Sequence, residues 1–145
     1  MRPRKKPETV LLVLLAAAIV STAIHYSDNT ISIHQYPPPE PSQALIVLAW
    51  LALTPFAVAG YALFRSGRAL AASLCLAVYA PLALSTPGHF VSRGPARFPF
   101  WRDVSILSDG VLGTAVLAFA IWAARRAIAE RPALREARQR PARTV

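Results

Sequence analysis

Four stretches of the chain, about residues 9–26, 44–64, 69–86 and 104–124, are almost free of charge, and Asp109 is the single Asp, Glu, Lys or Arg inside any of them. Each runs 18–21 residues. At 1.5 Å of rise per residue that is roughly 27–31 Å of helix, the thickness of a bilayer's hydrocarbon core. No water-soluble core of this size could enclose so much apolar surface. Of the residues, 54% are hydrophobic and only 16% charged, whereas soluble domains carry about 25% charged residues. The apolar residues also come in blocks rather than with amphipathic spacing. The expected fold is all-α, an integral membrane bundle of four transmembrane helices over residues 9–126. A basic arm (1–8) precedes it, and a basic tail (127–145), disordered or a short helix, follows. Pro55 and Pro81 fall inside the second and third blocks; membrane helices tolerate such prolines and kink there.

Charge gives the orientation. Thirteen of the sixteen Lys and Arg residues fall in the N-terminal arm, the 65–68 turn and the tail, and only Arg93, Arg97 and Arg102 fall on the other side. The positive-inside rule then places both termini in the cytoplasm and the 27–43 and 87–103 loops outside. The Ala- and Arg-rich, Lys-poor usage fits a bacterium with GC-rich DNA, hence the bacterial plasma (inner) membrane. A rival reading takes the basic start, the Val10–Val20 run and Ser21-Thr22-Ala23 as a cleaved secretory signal. It would leave three spans and a mature chain beginning at Ile24. The apolar run continues through Ile24, which favours the uncleaved span.

A net charge of +9 would suit nucleic acid, but it is spread over block edges and the tail without aromatic interleaving or a recognisable module. The seven arginines from Arg125 onward instead suit anionic headgroups of the inner leaflet, at roughly 1 kcal/mol each. Cys75, the only cysteine, sits within the third block, so intrachain disulfides, Cys-based zinc sites and CxxC chemistry are excluded.

Chemistry concentrates between the first and second blocks, in His25-Tyr26-Ser27-Asp28-Asn29, then His34, Tyr36 and the 37–41 proline run. That run is expected to be an extended spacer. His25 follows Ala17 and Ser21 on a ridge of small residues at spacing four, the kind that packs helices in lipid, so it is expected to face the bundle. Similar ridges are Ala69/Ser73/Ala77 and Gly110/Thr114/Ala118. Asp28 is one helical turn from His25. A helix C-terminus disfavours a carboxylate by about 0.3–1 kcal/mol, so Asp28 is expected to have a partner. All three histidines, including His89 after the third block, fall on the outward side.

Two readings follow. In one, His25, Asp28 and His89, with His34 or Asp109, converge as ligands for a divalent transition metal or as a proton-transfer group. In the other there is no cofactor. Asp28 pairs with Arg93, Arg97 or Arg102, and Asp109 is a first-turn carboxylate favoured by the helix dipole. The Arg93, Arg97, Trp101 and Arg102 segment would then meet lipid headgroups or a partner, and Tyr26, Tyr36, Phe98, Phe100, Trp101 and Trp122 would form interfacial belts.

His25-x-x-Asp28-Asn29, Tyr36-Pro37 and Gly88-His89 together resemble small uncharacterised bacterial four-span membrane proteins. The resemblance covers the four spans and implies a fold and a location but no activity. The expected role is that of an accessory or structural membrane protein that binds a partner protein, a second copy of itself or lipid through outward loops. A small enzyme or metal-binding protein with a His/Asp site is the alternative. An oligomeric transporter is a further one, since four spans are few for a path through one copy.

Overall fold

A computed structural model describes residues 5–36, 42–92 and 97–139. Helix α1 (Lys5–Ile31) leads through a 3-10 turn (Ile33–Gln35) to α2 (Gln43–Arg65) and α3 (Ala69–Leu84), then to the short α4 (Gly88–Ser92) and the long α5 (Phe100–Gln139). Four helical stretches, Lys6–Ile31, Gln43–Arg65, Ala69–Ser92 and Phe100–Glu130, are long and apolar enough to cross a membrane. Pro55 and Pro81 lie within continuous helix. So does Pro132, and α5 runs past it to Gln139. The 37–41 proline run and Arg93 lie outside the described residues.

The helices form a square, each beside its neighbour in sequence, with α5 closing against α1. A tight α2–α3 turn enforces the antiparallel pairing. Gly67 adopts φ 79°, a left-handed conformation that only glycine takes without strain. This lets the Arg68 N–H reach the Leu63 carbonyl at 2.9 Å and the Gly67 N–H reach that of Phe64 at 3.0 Å. Two otherwise orphaned helix-end carbonyls are thus satisfied.

Polarity is inverted relative to a soluble protein. Val13, Val20, Leu48, Val58, Leu74 and Val111 point outward and are 59–70% exposed, whereas Thr22, His25, Asn29, Ser73, Thr86, Arg102 and Asp109 are buried. Backbone groups are satisfied within the helices, so an apolar exterior around a partly polar interior is stable in lipid and not in water.

The packed stripes differ from the spacing-four ridges of the sequence. On α1 the buried residues are Leu11, Leu15, Ala18, Thr22, His25 and Asn29, alternating steps of four and three, while Ala17 is exposed. On α5 they are Arg102, Ile106, Asp109, Gly113, Val116, Ala120 and Ala123, with the same alternation, while Thr114 and Ala118 are exposed. Ala77 of α3 is exposed as well. A 3.5-residue repeat is the spacing of left-handed helix bundles. Small residues are used where backbones approach. A Cβ on Gly60 would come within 2.8 Å of Leu76, and one on Gly113 within 3.0 Å of Ala83.

The two ends of the bundle differ. Pro7, Gly67, Arg68, Trp122, Arg126 and Glu130 meet around one pocket at the basic end, where Lys6, Arg65, Arg125 and Arg126 are exposed. The opposite, polar end gathers Tyr26, Asn29, Tyr36, Thr86 and His89.

Candidate functional site at the polar end

Asp28 sits in the last turn of α1, where the helix dipole opposes its charge. Four donors answer it. Arg102 Nε lies 2.6 Å from Oδ2 and Arg102 Nη2 lies 3.0 Å from Oδ1. The Ser32 hydroxyl donates to Oδ1 at 3.1 Å, and the Tyr36 hydroxyl donates to Oδ2. The expected partner of Asp28 is therefore an arginine, held in a bidentate fork. Arg102 also reaches the Gln35 side chain at 3.2 Å and packs over the rings of Tyr36, Phe98 and Trp101 at 4.9, 5.5 and 5.2 Å. Burial, and then the hydrogen bond to Asp28, push the Tyr36 hydroxyl well above the usual tyrosine pKa. This cluster ties the end of α1, the 3-10 turn and the start of α5 into one latch.

Beneath the latch lies a second polar layer. His25 faces the bundle as expected, and its ring is 1% exposed. Its Nδ1 is 4.0 Å from Asp109 Oδ2. Neither ring nitrogen of His25 has a hydrogen-bond partner, nor does Asp109 Oδ2. Asp109 Oδ1 accepts from the Ser21 hydroxyl, which also meets the Ser108 hydroxyl at 2.9 Å. The Asp109 expectation needs correction. Helix α5 begins at Phe100, so Asp109 lies more than two turns inside it, and Asp103 is the first-turn acid. The dipole explanation, which relies on the first turn, does not apply.

The His89 ring lies tilted at 5.4 Å from that of His25 and 4.9 Å from that of Tyr36. Its Nε2 is 3.5 Å from the Asn29 amide nitrogen, and the Asn29 carbonyl oxygen is buried without a partner. Asn29 and His89 line a pocket of about 330 Å³ together with Ile33, Leu45, Ile46 and Ala49. Tyr26 donates to the Leu82 carbonyl at 3.1 Å and Trp50 Nε1 donates to Thr22 Oγ1 at 3.2 Å, which fixes α1 against α3 and α2.

The proposed metal set is thus divided. His25 and His89 stand together and Asp109 faces His25, while Asp28 belongs to the latch and His34 is exposed on the 3-10 turn. Among the described residues no group of three or more His, Cys, Asp or Glu side chains is placed to hold a metal ion. Of the residues expected at headgroups, Arg97 and Trp101 are exposed, but Arg102 is 2% exposed and committed to Asp28. Several contributors stand in the sequence without the roles they have here: Tyr36 belongs to the polar segment and the interfacial aromatics, Ser21 to a packing ridge, and Ser108 carries no signal. The short separation of Ser21 and His25 was the one hint that a hydroxyl would face the same chamber. Compared with family models, curated proteins and solved structures, the chain matches none.

Proposed function

We propose that this chain is a multi-pass protein of the bacterial inner membrane, both termini cytoplasmic, that serves as an accessory binding protein. Its outward mouth receives the hydrogen-bonding head of a neutral, lipid-like molecule. The observation that carries this reading is the buried, unpartnered Asn29 carbonyl beside the mouth pocket. Leaving the Asn29 side-chain Oδ1 unsatisfied costs about 1–3 kcal/mol, and a ligand hydroxyl or amide would supply the missing donor once the Asn29 side chain turns toward the pocket. Neutrality follows from the surroundings. Asp28 and Arg102 cancel each other in the latch, and neither a carboxylate nor a cationic Lys or Arg lines the pocket. Leu45, Ile46 and Ala49 of α2 are among its lining residues, which suits an apolar body lying against that helix.

In the metal-binding alternative Asp28 is engaged by Arg102, which leaves His25, His89 and Asp109 as its remaining candidates. A path through a single copy would have to cross Leu11, Leu15, Leu76, Val116 and Ala120, all 0–3% exposed, between the polar layers and the basic end, so the transport alternative would need a path between copies.

The test is lipid analysis of protein purified in mild detergent. Near-stoichiometric neutral lipid with a hydroxyl or amide head is expected on the wild type. It should fall at least fivefold in Ala49→Leu, which fills the pocket, at unchanged helicity and melting. Equal lipid in the two proteins, or none in either, would overturn the reading.

A further inference from the structure

Beneath the mouth, the geometry points to a one-sided proton path: we propose that His89 and His25 relay protons between the polar end of the bundle and the buried Asp109. The path rests on three placements. Asp109 is 0% exposed and His25 1% exposed, so neither meets solvent directly. His89 is only half-buried and lines the mouth pocket, with its ring 5.4 Å from that of His25. His25 in turn places Nδ1 at 4.0 Å from Asp109 Oδ2, and both of those atoms lack any other partner.

Imidazole suits the task because it accepts a proton on one ring nitrogen and releases one from the other. The 4.0 Å gap exceeds a hydrogen bond by about 1 Å, a distance that a small ring rotation or one water can close. A net charge at such depth costs several kcal/mol. The His25–Asp109 pair is therefore neutral as a whole, either as carboxylic acid and imidazole or as carboxylate and imidazolium, and holds one titratable proton.

The groups around His25 do not upset that balance. Tyr26 and Asp28 lie on its own helix, Tyr79 on α3, His89 on α4, and Arg102 and Asp109 on α5. Asp28 and Arg102 neutralise each other. Exchange starts from the neutral pair of carboxylic acid and imidazole. The proton on one His25 ring nitrogen leaves to His89 and on to the mouth as the Asp109 proton moves to the opposite ring nitrogen. The pair, transiently one proton short, is refilled by the reverse steps. Toward the basic end the apolar layer of Leu11, Leu15, Leu76 and Val116 closes the chamber, so exchange proceeds from the mouth side alone.

Nitrogen NMR on histidine-labelled protein in nanodiscs tests this, because the chain has only three histidines and each is assignable by single substitution. The His25 ring N–H is expected to exchange with water at least tenfold more slowly in His89→Phe and in His89→Leu. Exchange in His34→Gln should match the wild type. Asp109→Asn, which removes the shared proton, should shift the His25 ring nitrogens. Wild-type exchange in either His89 variant that retains its fold, or His25 signals unmoved by Asp109→Asn, would overturn the proposal. The test needs no lipid ligand, so it stands or falls separately from the mouth-pocket reading.

Discussion

The two halves of the bundle are held by different interactions. Toward the basic end the seam is Leu11, Leu15, Ala18, Leu76, Val116 and Ala120, side chains without a hydrogen bond to lose, backed by glycine at Gly60 and Gly113. Toward the polar end the same seam positions carry Thr22, His25, Asn29, Arg102 and Asp109. The spacing along the helices is unchanged; the chemistry at that spacing is not. In lipid, burying apolar groups between helices gains little over leaving them among acyl chains, so the first half depends on close fit. The second half depends on polar groups finding partners, since an unpaired one is expensive at low dielectric, and the exceptions there are the His25 ring nitrogens, Asn29 Oδ1 and Asp109 Oδ2. A seam that can be built from Leu and Ala alone has no structural need for a histidine and an aspartate. Their presence in only one half is what supports placing the proposed function there.

The difference can be broken from either side. The largest effect is expected at the latch. Arg102→Leu strands the mostly buried Asp28 carboxylate and should destabilise the protein by about 3–5 kcal/mol, read by denaturant or thermal unfolding in detergent. The double variant Asp28→Leu/Arg102→Leu should recover most of that loss, because replacing a buried ion pair with apolar residues is often neutral. A double variant no more stable than Arg102→Leu would show that the latch is more than charge balance.

A smaller loss is expected in the apolar half. In Gly113→Leu the new side chain meets Ala83 and Leu84 at 3.0–3.1 Å from its first carbon. Overpacking of this kind costs about 1–3 kcal/mol, and the same melting experiment reads it. A neutral outcome would mean that α3 and α5 separate easily, contrary to a half held by fit. Smaller again is Thr22→Val, which removes the acceptor for Trp50 Nε1 where the halves join. About 0.5–1 kcal/mol is expected, with altered Trp50 fluorescence among the three tryptophans as a second readout.

The four spans were legible because hydropathy over some twenty residues is a strong signal, and the protein need satisfy only length and apolarity there. Which face of each helix packs was much less legible. Alanine is so frequent that Ala17, Ala77 and Ala118 make small-residue ridges by composition, and all three face outward. The true α1 seam was written instead in Thr22, His25 and Asn29, polar residues that lipid would not accept. The dipole argument showed that Asp28 needed a partner. It could not choose Arg102, because that choice depends on where α5 begins. The same start at Phe100, ahead of the apolar block, moved Asp109 from the first turn to the bundle interior. Hydropathy marks where a helix is apolar, whereas capping and tertiary contacts decide where it starts.

The proposed mouth pocket for a neutral, hydrogen-bonding lipid is what would set the polar half apart. The most direct measurement is photocrosslinking in nanodiscs with a hydroxyl-headed neutral lipid that carries a photoreactive group next to its head, followed by peptide mapping. Labels should concentrate on the segments containing Ile33, Leu45, Ile46 and Ala49, and should drop at least fivefold in Asn29→Leu. Labelling spread evenly over the lipid-facing surfaces of all four helices, or unchanged in Asn29→Leu, would contradict the account.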